Sequence, residues 1–402
     1  MRGLAWALML GLAFAIPWEY SLDLGPPLGN IARILGLALL AAMVLAVLQV
    51  GRMRRLTALH WLILALLAWL ALSWFWSIDL EATGSHLPGY VQETMIAWFV
   101  WELTETPSEL RSLLRCIVAG SCVLAALTMA NFASPNAADQ IRFVAEGQDP
   151  NDVARFLVLG FPLAALLLSG QSERIDKLLA QAYLPMGLIA VLLTASRSGF
   201  IAAMIALAGC GILLLRRRSR AGLAVGMSLP AVLTAFWMTV PAGTIDRLFT
   251  IPQQLMGQDL NQRANIWSAG WLAFRHAPLA GSGAGTFAGA AGLAPMDTAH
   301  NTMLAFAVEG GLVALTLASA ILAAASASVF AMRGPMRNAM GTALLVWVVT
   351  SAVATLQENR ATWLLLGIVA TAARLAADQP VELARAFGER QPSSARAAPA
   401  CP

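Results

Sequence analysis

The sequence predicts an all-α integral membrane protein, and three observations carry that prediction. Hydrophobic residues make up 58% of the 402 residues, whereas charged residues make up only 12%. The mean hydropathy is correspondingly high, at +0.69. The apolar residues fall into repeated runs of about 20 residues, the length of helix that crosses a bilayer. In so apolar a chain each ionisable residue needs an explanation, because a charge inside a bilayer is costly.

The apolar runs and the charges between them predict a topology of about twelve spans. The spans begin near Leu4, Asn30, Thr57, Leu87, Ser112, Asp152, Leu178, Gly199, Ala221, Thr302, Gly341 and Thr362. The connections GRMRR, ERIDK, RRRSR and MRGPMR are basic and follow even-numbered spans, whereas residues 18–29, 77–86 and 134–151 are acidic or nearly neutral. Cytoplasmic loops retain Arg and Lys, so the basic connections and both termini are predicted to be cytoplasmic.

Neither end of the chain is expected to take part in a reaction, and the net charge is expected to reflect the topology. Ala13-Phe14-Ala15 could pass for a signal-peptidase site, but the weakly charged start and the even number of spans favour an uncleaved first helix. Residues 377–402 are poor in large apolar side chains and are predicted to form a disordered cytoplasmic tail. The net charge of +4 comes from residues that set the topology, so no nucleic-acid partner is expected.

One connection is far longer than the others. Residues 1–240 hold spans one to nine and residues 301–376 hold the last three, so residues 241–300 form an outer loop of about 60 residues. The loop contains a stripe at helical spacing after Asp259, a residue type suited to an N-cap. Its members are Leu260, Ala264, Trp267, Trp271 and Phe274. The stripe predicts an amphipathic helix that lies on the membrane or on the ends of other helices.

A glycine-rich turn follows that helix, in the sequence RHAPLAGSGAGTF. Pro278 is expected to end the helix, and Gly281, Gly283 and Gly285 permit tight backbone turns. A dinucleotide-binding loop would need a strand before the glycines and a helix directly after them, and the sequence has neither. We therefore predict a turn in which the backbone approaches a ligand or a neighbouring helix.

His300 stands at the entrance of the tenth span, in the sequence AHNTM, with Glu309 about two turns deeper. A lone histidine at a helix start is more often structural than catalytic. Here, however, a helix N-terminus and neighbouring guanidinium groups would both disfavour the imidazolium form. We therefore predict that His300 is neutral near pH 7 and can act as a base.

Arginines are predicted to lie at the same outer side. Arg197 occupies a tight hairpin, SRSG, between the seventh and eighth spans, and Arg263 lies on the flank of the apolar stripe. Arg142 and Arg155 flank the turn GQDPND before the sixth span and are weaker candidates. Each arginine could simply extend its charge to the interface. As a group they suit a diphosphate headgroup at the bilayer surface, because the guanidinium fork matches phosphate oxygens.

A sugar linked to a lipid diphosphate would fit such a site. The diphosphate leaves as a stable anion without a proton donor, and the arginines would stabilise its developing charge. One general base then suffices to activate an acceptor hydroxyl, and His300 is the candidate.

The chain resembles the O-antigen ligase and polymerase superfamily. The resemblance rests on Arg197 in SRSG, Arg263 in NQRANIW, the turn RHAPLAGSGAGTF and His300 in AHNTMLAFAVEGG, and it covers residues 134–331. It implies a C-type glycosyltransferase fold and a metal-independent inverting enzyme of lipopolysaccharide biosynthesis, without a cofactor. Its expected partners are an undecaprenyl diphosphate-linked glycan donor and membrane lipids, with the active site on the periplasmic side of the bacterial inner membrane.

Residue by residue, the resemblance implies that Arg197 and Arg263 bind the donor diphosphate and that His300 takes the proton from the acceptor. Glu358 matches an acidic position of the family only loosely and is assigned a supporting role, as is Asn301 beside His300. A single extended loop favours a ligase, which uses a lipid A core sugar as acceptor, over a polymerase or a protein-glycosylating member. A transporter would be expected to place its charges near the midplane and to show internal repeats, which the sequence lacks.

Overall fold

The predicted fold class is confirmed in a computed structural model that describes residues 1–25, 29–135, 140–169, 173–217, 226–227, 230, 233–234, 236–250 and 263–388. These residues form helices and contain no strand, apart from one isolated bridge between Asp23 and Asn30. In the described part of the chain, nine helices are long and apolar enough to cross a membrane. They are α1 (Arg2–Ala15, continued by a 3₁₀ turn to Ser21), α2 (Ile31–Val50), α3 (Ala58–Leu72), α5 (Pro107–Phe132), α6 (Pro150–Leu168), α7 (Arg174–Leu193), α8 (Arg197–Arg217), α12 (Thr302–Ala331) and α14 (Arg360–Asp378).

Two further long helices lie where the fourth and eleventh spans were predicted. They are α4 (Leu80–Leu103) and α13 (Gly334–Ser351), which are not among the nine. The predicted ninth span, from Ala221, lies largely outside the described residues. The protein is therefore a multi-pass helical membrane protein, and the count of twelve stays a prediction.

Helix α6 forms the centre of the bundle. It is buried along most of its length and packs against α5, α7, α8 and α13. Three basic connections predicted to be cytoplasmic, residues 51–55, 173–177 and 332–337, lie in the described part of the chain and gather at one end of the bundle, which we call the basic end. There Arg111 and Arg115 each donate to Asp176 at 2.6 Å, and Arg2 pairs with Glu105 at 2.8 Å. The opposite end, which holds His300, is called the histidine end.

The prediction of a disordered tail is wrong for its first part. Helix α15 (Pro380–Phe387) buries Leu383 and Phe387, and Ser169 Oγ donates to the carbonyl of Phe387 at 3.2 Å. Two well-spaced apolar side chains suffice to dock so short a helix against the basic end, although the composition of the segment is polar overall. Residues 389–402 lie outside the described residues.

The long connection contains α9 (Ala242–Phe249), α10 (Arg263–His276) and α11 (Phe287–Ala290). The predicted N-cap Asp259 and the first stripe residue, Leu260, lie outside the described residues. Of the other stripe residues, Trp267 and Phe274 are half-buried and pack against the protein, whereas Ala264 and Trp271 are exposed.

Helix α10 instead buries Ile266, Gly270 and Ala273, and it packs against α12. A Cβ on Gly270 would lie 3.0 Å from the Phe287 ring. The small residues therefore face the protein, where helices must approach closely, and the large aromatic Trp271 faces outward.

The glycine-rich turn docks into a break in α12, as the prediction of a close backbone approach required. Gly311 has φ 66° and ψ −161°, which interrupts the helix. The amides of Ser282 and Gly283 donate to the carbonyls of Val308 and Glu309, both at 2.9 Å. The Trp69 indole donates to the carbonyl of Gly310 at 2.8 Å. The carbonyls at the break therefore all accept hydrogen bonds, as backbone groups within a bilayer must. These contacts also hold in place the short half-helix that begins beside His300.

Candidate active site

A tight hairpin between α7 and α8 positions Arg197. Helix α7 ends at Leu193 and α8 begins at Arg197, with Ala195 at φ +48° between them. The Arg197 Nε donates to the carbonyl of Arg247 at 3.2 Å, and the Arg247 Nε donates to the carbonyl of Ala195 at 3.3 Å. This reciprocal pair ties α9 to the hairpin and holds two guanidinium groups side by side.

Arg142 joins the hairpin from the segment before α6. Its Nε donates to the carbonyl of Thr194 at 3.1 Å, and its Nη2 donates to the Asn151 side chain at 3.3 Å. Asn151 also accepts from the Ser196 hydroxyl at 2.9 Å. These hydrogen bonds connect the start of α6 to the hairpin.

The charges of three other arginines act on Arg142. Burial lowers the pKa of Arg142 most, and the nearby charges of Arg247, Arg197 and Arg263 lower it further, whereas the Asp149 carboxylate opposes them. Four arginines, Arg142, Arg197, Arg247 and Arg263, thus share one electrostatic environment, which we call the arginine cluster. Asp149 is held near the arginine cluster because it caps α6. Its side chain accepts hydrogen bonds from the amides of Asn151 and Asp152.

Arg155 lies deeper than the cluster. It is buried and forms an ion pair with Asp152, one turn earlier on α6. Its charge nevertheless contributes to the pKa values of Arg263 and His300. Because its guanidinium already has a carboxylate partner, Arg155 is better placed to shape the local potential than to bind a substrate.

His300 stands beside the cluster in a strained conformation. Its φ is +45°, and among the described residues only Ala195 shares a positive φ without being glycine. The carbonyl of Ala299 accepts from the Trp267 indole at 3.0 Å, so α10 fixes the backbone directly before His300. Strain of this kind costs about 1–3 kcal/mol and persists only where the surrounding structure imposes it, often at functional sites.

The environment of His300 favours the neutral imidazole. Burial lowers its pKa most, and the Arg263 charge lowers it next, followed by a smaller effect of Arg155. The carboxylates of Asp149 and Asp297 oppose this shift without reversing it. A histidine whose pKa lies below its usual value of about 6.5 is a neutral base at pH 7.

Asn301 and Glu358, assigned supporting roles as Arg142 and Arg155 were, have other partners. The Asn301 side chain accepts from the amide of Leu304 at 3.0 Å and so caps α12. The Glu358 carboxylate lies 2.6 Å from Nδ1 of His86. Asn301 therefore positions His300 through the helix start, and Glu358 belongs to a separate pair.

No role was assigned from the sequence to three residues at this end, although Glu309 was noted in it. Arg247 carried a weak signal, as an arginine on the predicted outer side, where positive charges are scarce. Glu309 carried a stronger one, as an acid inside an apolar span. It is buried and accepts from the Tyr90 hydroxyl at 3.2 Å and from the Gln357 amide at 3.3 Å. His86 carried no signal that distinguished it from a surface residue.

The fold and the site together define a multi-pass membrane protein with an arginine cluster beside a neutral histidine at one end of its bundle. Residues 182–319 match a family model described as O-antigen ligase. The matched segment holds Arg197, Arg263, the glycine-rich turn and His300. The match covers about a third of the chain, and it supports membership of the O-antigen ligase superfamily, as the resemblance indicated, and a glycosyltransferase of the ligase or polymerase type. No curated protein matches the chain.

Proposed function

We propose that the protein transfers an O-antigen glycan from undecaprenyl diphosphate to a hydroxyl of a lipid A core sugar. The reaction would take place at the histidine end, on the periplasmic side of the bacterial inner membrane. The proposal is carried by the arginine cluster, which hydrogen bonds gather at the hairpin, and by His300 beside it, whose pKa is lowered by burial and by Arg263. Four positive charges suit a diphosphate, and the imidazole suits a proton acceptor.

The arginine cluster supplies what the leaving group needs. Arg197 and Arg263 would bind the donor diphosphate, with Arg142 and Arg247 adding charge at its rim. When the bond between the anomeric carbon and the diphosphate oxygen breaks, negative charge grows on that oxygen. Fixed guanidinium groups stabilise this charge in the transition state without having to reorganise. The diphosphate then leaves on its lipid carrier, and no general acid takes part.

His300 supplies what the acceptor needs. The acceptor hydroxyl would attack the anomeric carbon from the side opposite the diphosphate, and an imidazole nitrogen of His300 would take its proton. The configuration of the anomeric carbon is inverted, because the new bond forms as the old one breaks on the other face. Arg263 would assist indirectly, because its charge, after burial, lowers the pKa of His300.

The decisive experiment is a reconstituted transfer assay with purified protein, donor lipid and lipid A core. We expect a product in which the glycan is joined to the core sugar. Replacement of the core by a second donor repeat unit, or by a Ser- or Thr-containing peptide, tests the polymerase and protein-glycosylating alternatives. A transporter would instead move the donor lipid across a liposome membrane and form no glycosidic bond, and that result would contradict the proposal.

Two neighbouring charges should move the acidic limb of the pH–rate profile in opposite directions. Arg263 lowers the pKa of His300 and Asp149 raises it. Arg263→Gln should therefore raise this pKa and move the acidic limb of kcat/KM to higher pH. Asp149→Asn should lower the pKa and move the limb to lower pH, and asparagine still caps a helix well. The measurement is kcat/KM against pH, which reports the ionisation of the free enzyme.

Arg337→Gln, at the basic end, is the matched control for the loss of one positive charge. The acidic limb of its kcat/KM profile against pH should coincide with that of the wild type. Shifts of Arg263→Gln and Asp149→Asn in the same direction would show that the limb does not report His300.

A further inference from the structure

His86 and Glu358 form an acid–base pair at the histidine end that the proposed reaction does not use. The Nδ1–H of His86 donates to Oε2 of Glu358 at 2.6 Å. Their side chains are 40% and 29% exposed, so a ligand can reach both. The hydrogen bond to Glu358 raises the pKa of His86 most, and burial opposes it. We call these two residues the His86–Glu358 pair.

The pair is built into the structure from two sides. Gly285 of the glycine-rich turn has φ +73°, and a Cβ at this position would lie 2.4 Å from Cδ2 of His86. The turn backbone therefore lies directly against the imidazole ring and restricts its rotation. Glu358 is carried by the turn between α13 and α14, in which the neighbouring Gln357 is held by buried Glu309. A pair held in this way is preorganised to bind a ligand.

The turn that carries Glu358 is also tied to the residues beside His300. The Thr302 hydroxyl donates to the carbonyl of Ala354 at 2.8 Å and accepts from the amide of Leu356 at 3.0 Å. Thr302 is two residues from His300, and Leu356 is two residues from Glu358. The described contacts of the pair are thus with the glycine-rich turn and with the turn before α14. By contrast, the arginine cluster is held by the hairpin and the segment before α6.

The charge of the pair determines which class of ligand it suits. An imidazole and a carboxylate can carry only opposite charges, so the pair offers no excess of positive charge, and the Glu309 carboxyl lies nearby. A diphosphate is thus attracted to the arginine cluster and gains nothing from the pair. Sugar hydroxyls are neutral, and each can donate to a carboxylate and accept from an imidazole N–H. Hydrogen bonds to charged partners of this kind are stronger than those between neutral groups.

We propose that the His86–Glu358 pair is the binding site for the acceptor, where it takes vicinal hydroxyls of a neutral sugar and orients one of them towards His300. This inference rests on the proposed function, since it assigns the second substrate of the same reaction. Glu358 accepts from the sugar hydroxyls, and His86 donates to one of them while its Nδ1–H remains on Glu358. Donor and acceptor then approach His300 from different sides.

The test is a steady-state analysis in which the acceptor concentration is varied at saturating donor. His86→Gln and Glu358→Gln should each raise the KM for acceptor by about tenfold or more, the loss expected for a hydrogen bond to a charged group. The KM for donor and the kcat at saturating acceptor should stay within about twofold, because neither residue takes part in bond breaking. Matched controls are Glu81→Gln, an exposed carboxyl on the same helix, and His276→Gln, an exposed histidine at the same end.

A purely structural role gives a different result. Loss of the contact between α4 and the turn would lower thermal stability and kcat together, and the KM for acceptor would stay unchanged. Equilibrium binding of the lipid A core acceptor, measured without donor, separates this proposal from the proposed function. An unchanged Kd in His86→Gln and Glu358→Gln overturns the acceptor site whether or not transfer occurs. Failure of the wild type to transfer glycan contradicts only the proposed function.

Discussion

His300→Asn is expected to lower kcat by about 100-fold or more, the usual contribution of a general base. The KM for donor should change little, because the arginine cluster that would bind the diphosphate remains intact. Asparagine is the better replacement, since His300 has φ +45° and asparagine tolerates the left-handed region more readily than alanine. His300→Ala removes the same base but adds backbone strain. The two variants together separate loss of the base from loss of the loop conformation.

The measurement is transfer to lipid A core by purified variants whose elution on size exclusion and thermal unfolding match the wild type. His276→Asn is the control, because this histidine is exposed at the end of α10 and has no assigned role. It should retain wild-type kcat. His300→Asn that forms product at the wild-type rate would exclude His300 as the base. Equal inactivity of His300→Asn and His276→Asn would point to a general defect at this end of the protein.

The sequence predicted the class of fold because the bilayer imposes simple rules on it. An apolar run of about 20 residues must be helical, and basic connections mark one side. Both rules are local and readable in a single chain. The same rules made Arg197, Arg263 and His300 conspicuous, since charged residues on the predicted outer side of an apolar protein are rare. The structure holds Arg263 close enough to lower the pKa of His300, whereas the roles of these residues remain predictions.

Other parts of the site depend on contacts between distant residues and could not be predicted. His86 and Glu358 lie 272 positions apart, and neither shows by its neighbours that it has a partner. Arg247 acts through the backbone, because its Nε donates to Ala195 and its own carbonyl accepts from Arg197. The inward face of α10 could not be predicted for a related reason. A helix beside both lipid and protein can turn either apolar face inward, and the close approach at Gly270 decided which.

The break in α12 was equally invisible, because two adjacent glycines in an apolar span are compatible with a continuous helix. It nevertheless gives the clearest prediction about stability. Gly311→Ala should destabilise the protein by about 3 kcal/mol or more, since φ 66° with ψ −161° is a region open almost only to glycine. A Cβ at this position would also lie 2.2 Å from the carbonyl oxygen of Leu279. This neighbour is backbone and cannot rotate away, so relief requires the glycine-rich turn to leave the break.

Gly281→Ala should behave in the same way, because its Cβ would lie 2.4 Å from the carbonyl oxygen of Glu309 on the other side of the contact. Gly36→Ala is the matched control, since no atom lies within 4 Å of its added Cβ and it occupies a regular helix, α2. There the melting temperature should stay the same or rise slightly, because alanine favours a helix over glycine. Thermal unfolding of purified protein, followed by tryptophan fluorescence, gives the comparison. Wild-type melting of both Gly311→Ala and Gly281→Ala would show that the turn does not occupy the break, and His300 would then need another support.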